Sequence, residues 1–310
     1  MRGPPVEQKE SPESLAEEFG AEGIEALPRR VDRYGRAKSR ALDVAHHIQG
    51  VSEGQEKLLL RLSNCGEYLA FRHYYTIDVV RLHGASFCMK HLLCPLCAVR
   101  RGAKALKAYL DRWQVIQADS PSLRPFLVTL TVKDGEDLRE RFTHLHRSQR
   151  ELWMRKHRGR GSVLDPVVGA VWSYEVKRGS GSGQWHPHLH MIALAECSPD
   201  QDRLSREWRE VTGDSHIVDV RPINQEDTAS GFVEVFKYAV KFSDMEVSDT
   251  WHAYQVMKNR RLIASAGRFR GVDVPEDLTD EPLDGLPFVS LFYRFFPGAG
   301  YRLSPSHRAL

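Results

Sequence analysis

The sequence predicts an α+β fold: a ferredoxin-like βαββαβ core, an antiparallel sheet with helices, behind a cysteine-rich N-terminal module. Three observations carry this expectation. Strand-like and helix-like patterns alternate between residues 126 and 242 in the order strand, helix, strand, strand, helix, strand, helix. The glycine-rich Gly179-Ser-Gly-Ser-Gly183 marks a tight turn between the second and third strands. Four of the five cysteines fall between residues 65 and 97, ahead of that alternation.

Residues 1–56, rich in Glu, Pro and Gly, read as a mobile tail. Residues 57–112 form the cysteine-rich module, a proposed zinc module that ends in a basic helix. That helix runs over 98–118, with Leu106, Tyr109, Leu110 and Trp113 on one face. The core is expected at 113–245. Phe126–Val132 is β-branched and reads as its first strand. A helix over 136–157 carries Leu138, Phe142, Leu145, Leu152 and Trp153 at its apolar positions. Val167–Lys177 and His186–Leu194 form a hairpin. A helix over 199–212 is expected to take Ser198 as its cap. His216–Arg221 is the fourth strand and Gly231–Phe242 the closing helix. Residues 246–310 read as a C-terminal extension, with an acidic linker at 272–287 leading to an aromatic segment.

Composition removes several classes. Apolar residues are 41% and charged residues 27% of 310, which excludes wholesale disorder and coiled coil. No stretch reaches the roughly 18 apolar residues of a membrane helix. Five cysteines and an N-terminus without an apolar signal core point to the cytoplasm and to metal or buried thiols, not disulfides. Net charge is only +3, so the distribution says more. Basic runs at Arg100, Arg101 and Lys104, and at Lys258, Arg260 and Arg261, either are solvated faces or contact nucleic-acid phosphates.

The sharpest chemical feature is His186-Pro-His-Leu-His190. Strand alternation sends the three imidazoles to one face. Folding the hairpin about Gly181 sets Glu175 opposite His188, so His188, His190 and Glu175 can converge on a divalent cation. A one-residue slip would turn Glu175 away. Two imidazoles and a carboxylate suit Mg²⁺ or Mn²⁺ where the substrate is a phosphate. His186 is either a supporting group or a strand-end histidine. On the closing helix, Glu234, Tyr238 and Lys241 share a face at i, i+4 and i+7. A phenol with a pKa near 10 attacks at neutral pH only with help from a cation or base, and Lys241 could offset developing negative charge. Cys65, Cys88, Cys94 and Cys97 could hold a structural Zn²⁺, with His83 or His91 able to replace one thiolate; buried free thiols are the alternative. Cys197 reads as a core thiol.

The combination resembles the HUH endonucleases, and among them the rolling-circle replication initiators of small plasmids. The likeness rests on Phe126–Val132, His186-Pro-His-Leu-His190 and Glu234-x-x-Lys-Tyr238-x-x-Lys241. It extends to Cys65 through Cys97 with the following Arg-Arg-x-x-Lys, and to Trp251–Phe269, about residues 60–270 in all. It implies strand-specific DNA nicking and joining at a plasmid origin through a 5′-phosphotyrosine on Tyr238. Glu234 is then the base that activates water at termination. The implied partners are single-stranded or hairpin origin DNA and a host helicase and polymerase, with no membrane; a dimer is compatible with it. A transposase or mobilisation relaxase shares this chemistry. A zinc-dependent DNA-binding repressor without nuclease activity is the alternative from another class.

Overall fold

A computed structural model describes Glu18 and residues 23–159, 161–237 and 245–304. The chain divides into two compact units, Met1–Ala103 with Asp277–Leu310, and Lys104–Glu276.

In the first unit, Leu27–Val51 is a long helix, α1, with Pro28 in its first turn. This corrects the expected tail over 1–56 from residue 27 onward. Leu27, Val31, Tyr34, Ala41, Val44 and Ile48 form its buried stripe, but Arg30, Arg33 and Lys38 lie buried beside them and mask the apolar period. A second helix, α2 (Glu56–Asn64), leads into two strands, β1 (Tyr68–Tyr74) and β2 (Val79–Ala85). Two strands from the far end of the chain, β8 (Val289–Phe296) and β9 (Gly300–Leu303), complete an antiparallel sheet in the order β2-β1-β8-β9.

Helix α3 (Pro95–Asp119) contains the division between the units. The second unit then runs β3 (Arg124–Thr131), α4 (Leu138–His157), β4 (Gly169–Arg178), β5 (Trp185–Ala195), α5 (Gln201–Thr212), β6 (Val218–Pro222), α6 (Thr228–Phe236), α7 (Val247–Met257) and β7 (Ile263–Gly267). Its sheet order is β6-β3-β5-β4-β7, antiparallel throughout. The first four strands of the unit thus take the split order of the ferredoxin-like pattern, and β7 extends it. Helix α5 is capped by Asp200, whose carboxylate accepts from the Arg203 amide, rather than by Ser198. A carboxylate in that position also complements the helix dipole.

The expected single extension over 246–310 is likewise corrected. Its first part supplies α7 and β7 to the second unit, and β8 and β9 belong to the first. The acidic stretch is also more than a linker, because Asp280 is built into the first unit's interior. Cys197 is exposed, not a core thiol, because it lies just past the end of β5.

Both faces of the second unit's sheet are covered, which is why β5 is buried almost along its length. On one face Tyr174 donates to Gln149 of α4 at 3.1 Å, and Trp172 packs on Trp153. Trp208 of α5 is fully buried and donates to the Thr131 carbonyl at 2.8 Å. On the opposite face Ser173 donates to the Val235 carbonyl at 2.6 Å, pinning α6 to β4. Among the described residues no helix is long and apolar enough to cross a membrane.

Candidate metal centres

The hairpin of β4 and β5 pairs Glu175 with His188 and Ser173 with His190, the expected register. Its turn is closed by the Gly179 amide donating to the Gln184 carbonyl at 2.8 Å, with Gly183 at φ 67°. That positive φ favours glycine and fixes which residues face each other. The side chains of Glu175, His188 and His190 therefore leave the sheet on the side that carries α6.

The ligand atoms of Glu175, His188 and His190 lie within 4.8 Å of one another. Glu175 Oε1 is 3.3 Å from His188 Nε2, and Oε2 is 3.5 Å from His190 Nε2. His188 Nδ1 faces the His186 carbonyl at 3.3 Å, an arrangement that leaves a lone pair on Nε2. Burial pushes the His188 imidazole below its ordinary pKa, although Glu175 opposes the shift, so it is neutral as a ligand must be. His190 Nδ1 lies 3.1 Å from Thr129 Oγ1, and its Nε2 is buried with no hydrogen-bond partner. A buried acceptor nitrogen aimed at a buried carboxylate is costly unless a cation joins them. These residues fit a divalent ion.

His186 stands apart from the set. Its Nδ1 is 2.5 Å from Asp134 Oδ1. Burial alone would raise the Asp134 pKa, but hydrogen bonds from Ser182 and His186 hold it below the usual carboxylate range. Neither Asp134 nor Thr129 is predictable from spacing, since both come from segments before the hairpin.

The second centre is in the first unit. Cys65 Sγ lies 3.5 Å from Cys94 Sγ and 3.6 Å from Cys97 Sγ, and Cys88 Sγ lies 3.6 Å from Cys97 Sγ. A tetrahedral zinc with bonds of about 2.3 Å separates its sulfurs by about 3.8 Å, so four thiolates already cluster at nearly that spacing. The amides of Cys88 and Lys90 point at Cys65 Sγ and Cys88 Sγ, at 3.3 and 3.4 Å. All four cysteines are buried, and neither His83 nor His91 belongs to the cluster.

The profile of a family described as "Replication protein" matches residues 79–287, about two thirds of the chain. The chain belongs to this replication protein family. It is 26% identical over 238 residues to "Protein rep" of Streptococcus pneumoniae serotype 2, covering 70% of this chain and 72% of that protein. It is 29% identical over 163 residues to "Protein rep" of Bacillus amyloliquefaciens, covering 50% and 46%. A third relative, "Protein rep" of Lactiplantibacillus plantarum, is 26% identical over 214 residues, covering 63% and 65%. No solved structure matches the chain.

The replication protein's other expected site residues fall into three groups. Glu234 lies on α6, partly exposed and ion-paired to Lys237. Tyr238 and Lys241 lie outside the described residues. Among the basic residues, Arg101 and Lys104 are partly exposed and Lys258 and Arg261 exposed. Arg260 lies over the Phe142 ring and donates to the Val256 carbonyl. Arg100 is corrected as a DNA contact. It is 3% exposed, and its guanidinium is taken up by Glu18, Asp280 and the Leu278 carbonyl.

Proposed function

We propose that this replication protein initiates rolling-circle replication of a plasmid, nicking and rejoining one strand of origin DNA through Tyr238. The observation that carries the reading is the buried Glu175–His188–His190 cluster on the sheet face to which α6 is pinned. Helix α6 bears Glu234 and ends at Phe236, two residues before Tyr238 in the chain.

Glu175, His188 and His190 would hold Mg²⁺ or Mn²⁺, which would supply polarisation of the scissile phosphate. The Tyr238 oxygen attacks phosphorus, the bond to the 3′ oxygen breaks, and the proton lost by the phenol is made up on the departing 3′ oxygen. The 5′ phosphate stays on Tyr238, and the free 3′ hydroxyl is left for a host polymerase, with a host helicase opening the duplex. Lys241 offsets charge on the phosphate. At termination Glu234, which is ion-paired to Lys237, takes a proton from water. The four cysteines hold a Zn²⁺ that supports the first unit, since thiolates select zinc over harder ions. Arg101, Lys104, Lys258, Arg260 and Arg261 contact phosphates, which position DNA without reading its sequence.

The test is incubation of labelled single strands bearing origin hairpins with the protein and Mn²⁺, followed by denaturing electrophoresis. Wild type yields a protein–DNA adduct. Tyr238→Phe yields none yet still binds the hairpin; an adduct in that variant would remove Tyr238 from the role.

A further inference from the structure

The sheet of the first unit has two unlike faces. Leu69, Phe71, Phe295 and Tyr301 point inward and are buried. The alternate positions point outward, and there the large side chains include aromatic and cationic groups beside small residues such as Ala70 and Ser290. Tyr68, Phe292 and Phe296 are 37%, 39% and 45% exposed, which is high for rings on a sheet. Strand register sets Tyr68 beside Arg294 and Arg294 beside Arg302, with Ala70 facing Phe292. The Tyr68 and Phe292 rings stack at 5.5 Å and 16°. At the other end Arg72 lies over the Phe288 ring at 4.4 Å. The four strands together carry Arg72, Arg81, Arg294 and Arg302 and not one Asp or Glu.

A face that only needed solubility would mix charge signs and bury its rings. Flat rings interleaved with arginines, without acids, match a different need. Unpaired bases stack on aromatic faces, and arginine pairs with the phosphates between them. A duplex keeps its bases stacked inside and would leave the rings without partners. A protein partner would be expected to meet a more apolar and less uniformly cationic patch. Three of the four strands, β1, β8 and β9, also lie outside the residues matched by the family profile.

We propose that this face binds single-stranded DNA, with bases stacked on Tyr68, Phe292 and Phe296 and phosphates held by Arg72, Arg294 and Arg302. The choice of DNA over RNA rests on the function proposed above; the stacking chemistry does not. The surface would hold a stretch of exposed strand.

The experiment titrates the full-length protein into fluorescein-labelled oligodeoxythymidylate of about 15 nucleotides, within the usual range for such surfaces. It follows anisotropy with magnesium absent, so that no cleavage enters. Tyr68→Ala and Phe292→Ala are each expected to weaken binding about 5- to 100-fold, and Phe292→Trp to retain it. Circular dichroism confirms that the variants fold. Bromodeoxyuridine crosslinking provides a second readout, with adducts expected on the strands of this sheet. Unchanged affinity in both alanine variants would overturn the proposal. So would adducts confined to Lys104–Glu276, equal binding of duplex, or tighter binding of the matching RNA. Loss of self-association without loss of DNA binding would reassign the face to a second copy of the chain. A protein that binds the homopolymer through these residues but never forms a tyrosine adduct would retain this inference and reject the nicking mechanism.

Discussion

Glu175 is the residue on which the metal centre turns. Its carboxylate faces both His188 and His190 from within the sheet, where a negative charge is expensive to bury. A purely structural Glu175 and a ligand Glu175 respond oppositely to Glu175→Gln, which keeps the shape and removes the charge. As a ligand, its loss lowers Mn²⁺ affinity by at least about 10-fold, given that even outer-shell changes around metals cost about 10–100-fold. The metal-free protein becomes no less stable, because a buried charge has gone. Calorimetric Mn²⁺ titration and melting curves in chelator check both halves. A fall in melting temperature with unchanged Mn²⁺ affinity would make Glu175 a structural partner of the histidines.

At the scale of elements, the cysteine centre draws together the end of α2, the segment after β2 and the start of α3. Cys94→Ser should therefore abolish stoichiometric zinc measured by plasma emission. It should also lower the melting temperature by at least about 5 °C, as each kcal/mol is about 2–4 °C at this size. Retained zinc at one per chain would contradict the four-thiolate assignment. These local placements were readable in advance because their rules are local. A period of two and a glycine turn fixed Glu175 against His188, and a Cys-x-x-Cys at a helix start marked the knuckle. The helix α1 was not readable, because Arg30, Arg33 and Lys38 sit on its buried side and look like solvent-facing charges. The sheet of β1, β2, β8 and β9 was hidden for another reason: β1 pairs with a strand more than 200 residues away, and no local pattern encodes that partner. Asp134 and Thr129 support the histidines across gaps of 52 and 61 residues, so the site's ligands were legible and their supports were not.

At the scale of the molecule, the first unit is assembled from both ends of the chain, and a buried ion network ties them together. Glu18 accepts from Arg30 at 3.0 Å, from Arg100 at 2.6 Å, and from Arg33 and Tyr34. Asp280 pairs with Arg100 and Arg30 at 2.5 and 3.0 Å and accepts the Leu82 amide at 2.6 Å. Burial alone would raise the Glu18 pKa, but the guanidiniums of Arg30, Arg100 and Arg33 outweigh it and bring it to about 2. Asp280 is likewise held well below the usual carboxylate range by Arg100 and Arg30 against its burial. The unfolded chain has ordinary carboxylates, so between about pH 5 and pH 2 it binds more protons than the folded one. Stability is thus fully present above about pH 5 and drains as the pH falls toward the folded values. Glu18→Gln should cost roughly 3 kcal/mol at pH 7, since it leaves buried arginines without their counter-charge, and should flatten the acid limb. Denaturant melts of wild type and variant at pH 7, 5 and 3.5 read both effects. Parallel acid limbs in the two proteins would show that other carboxylates set the acid stability and that the network contributes only packing.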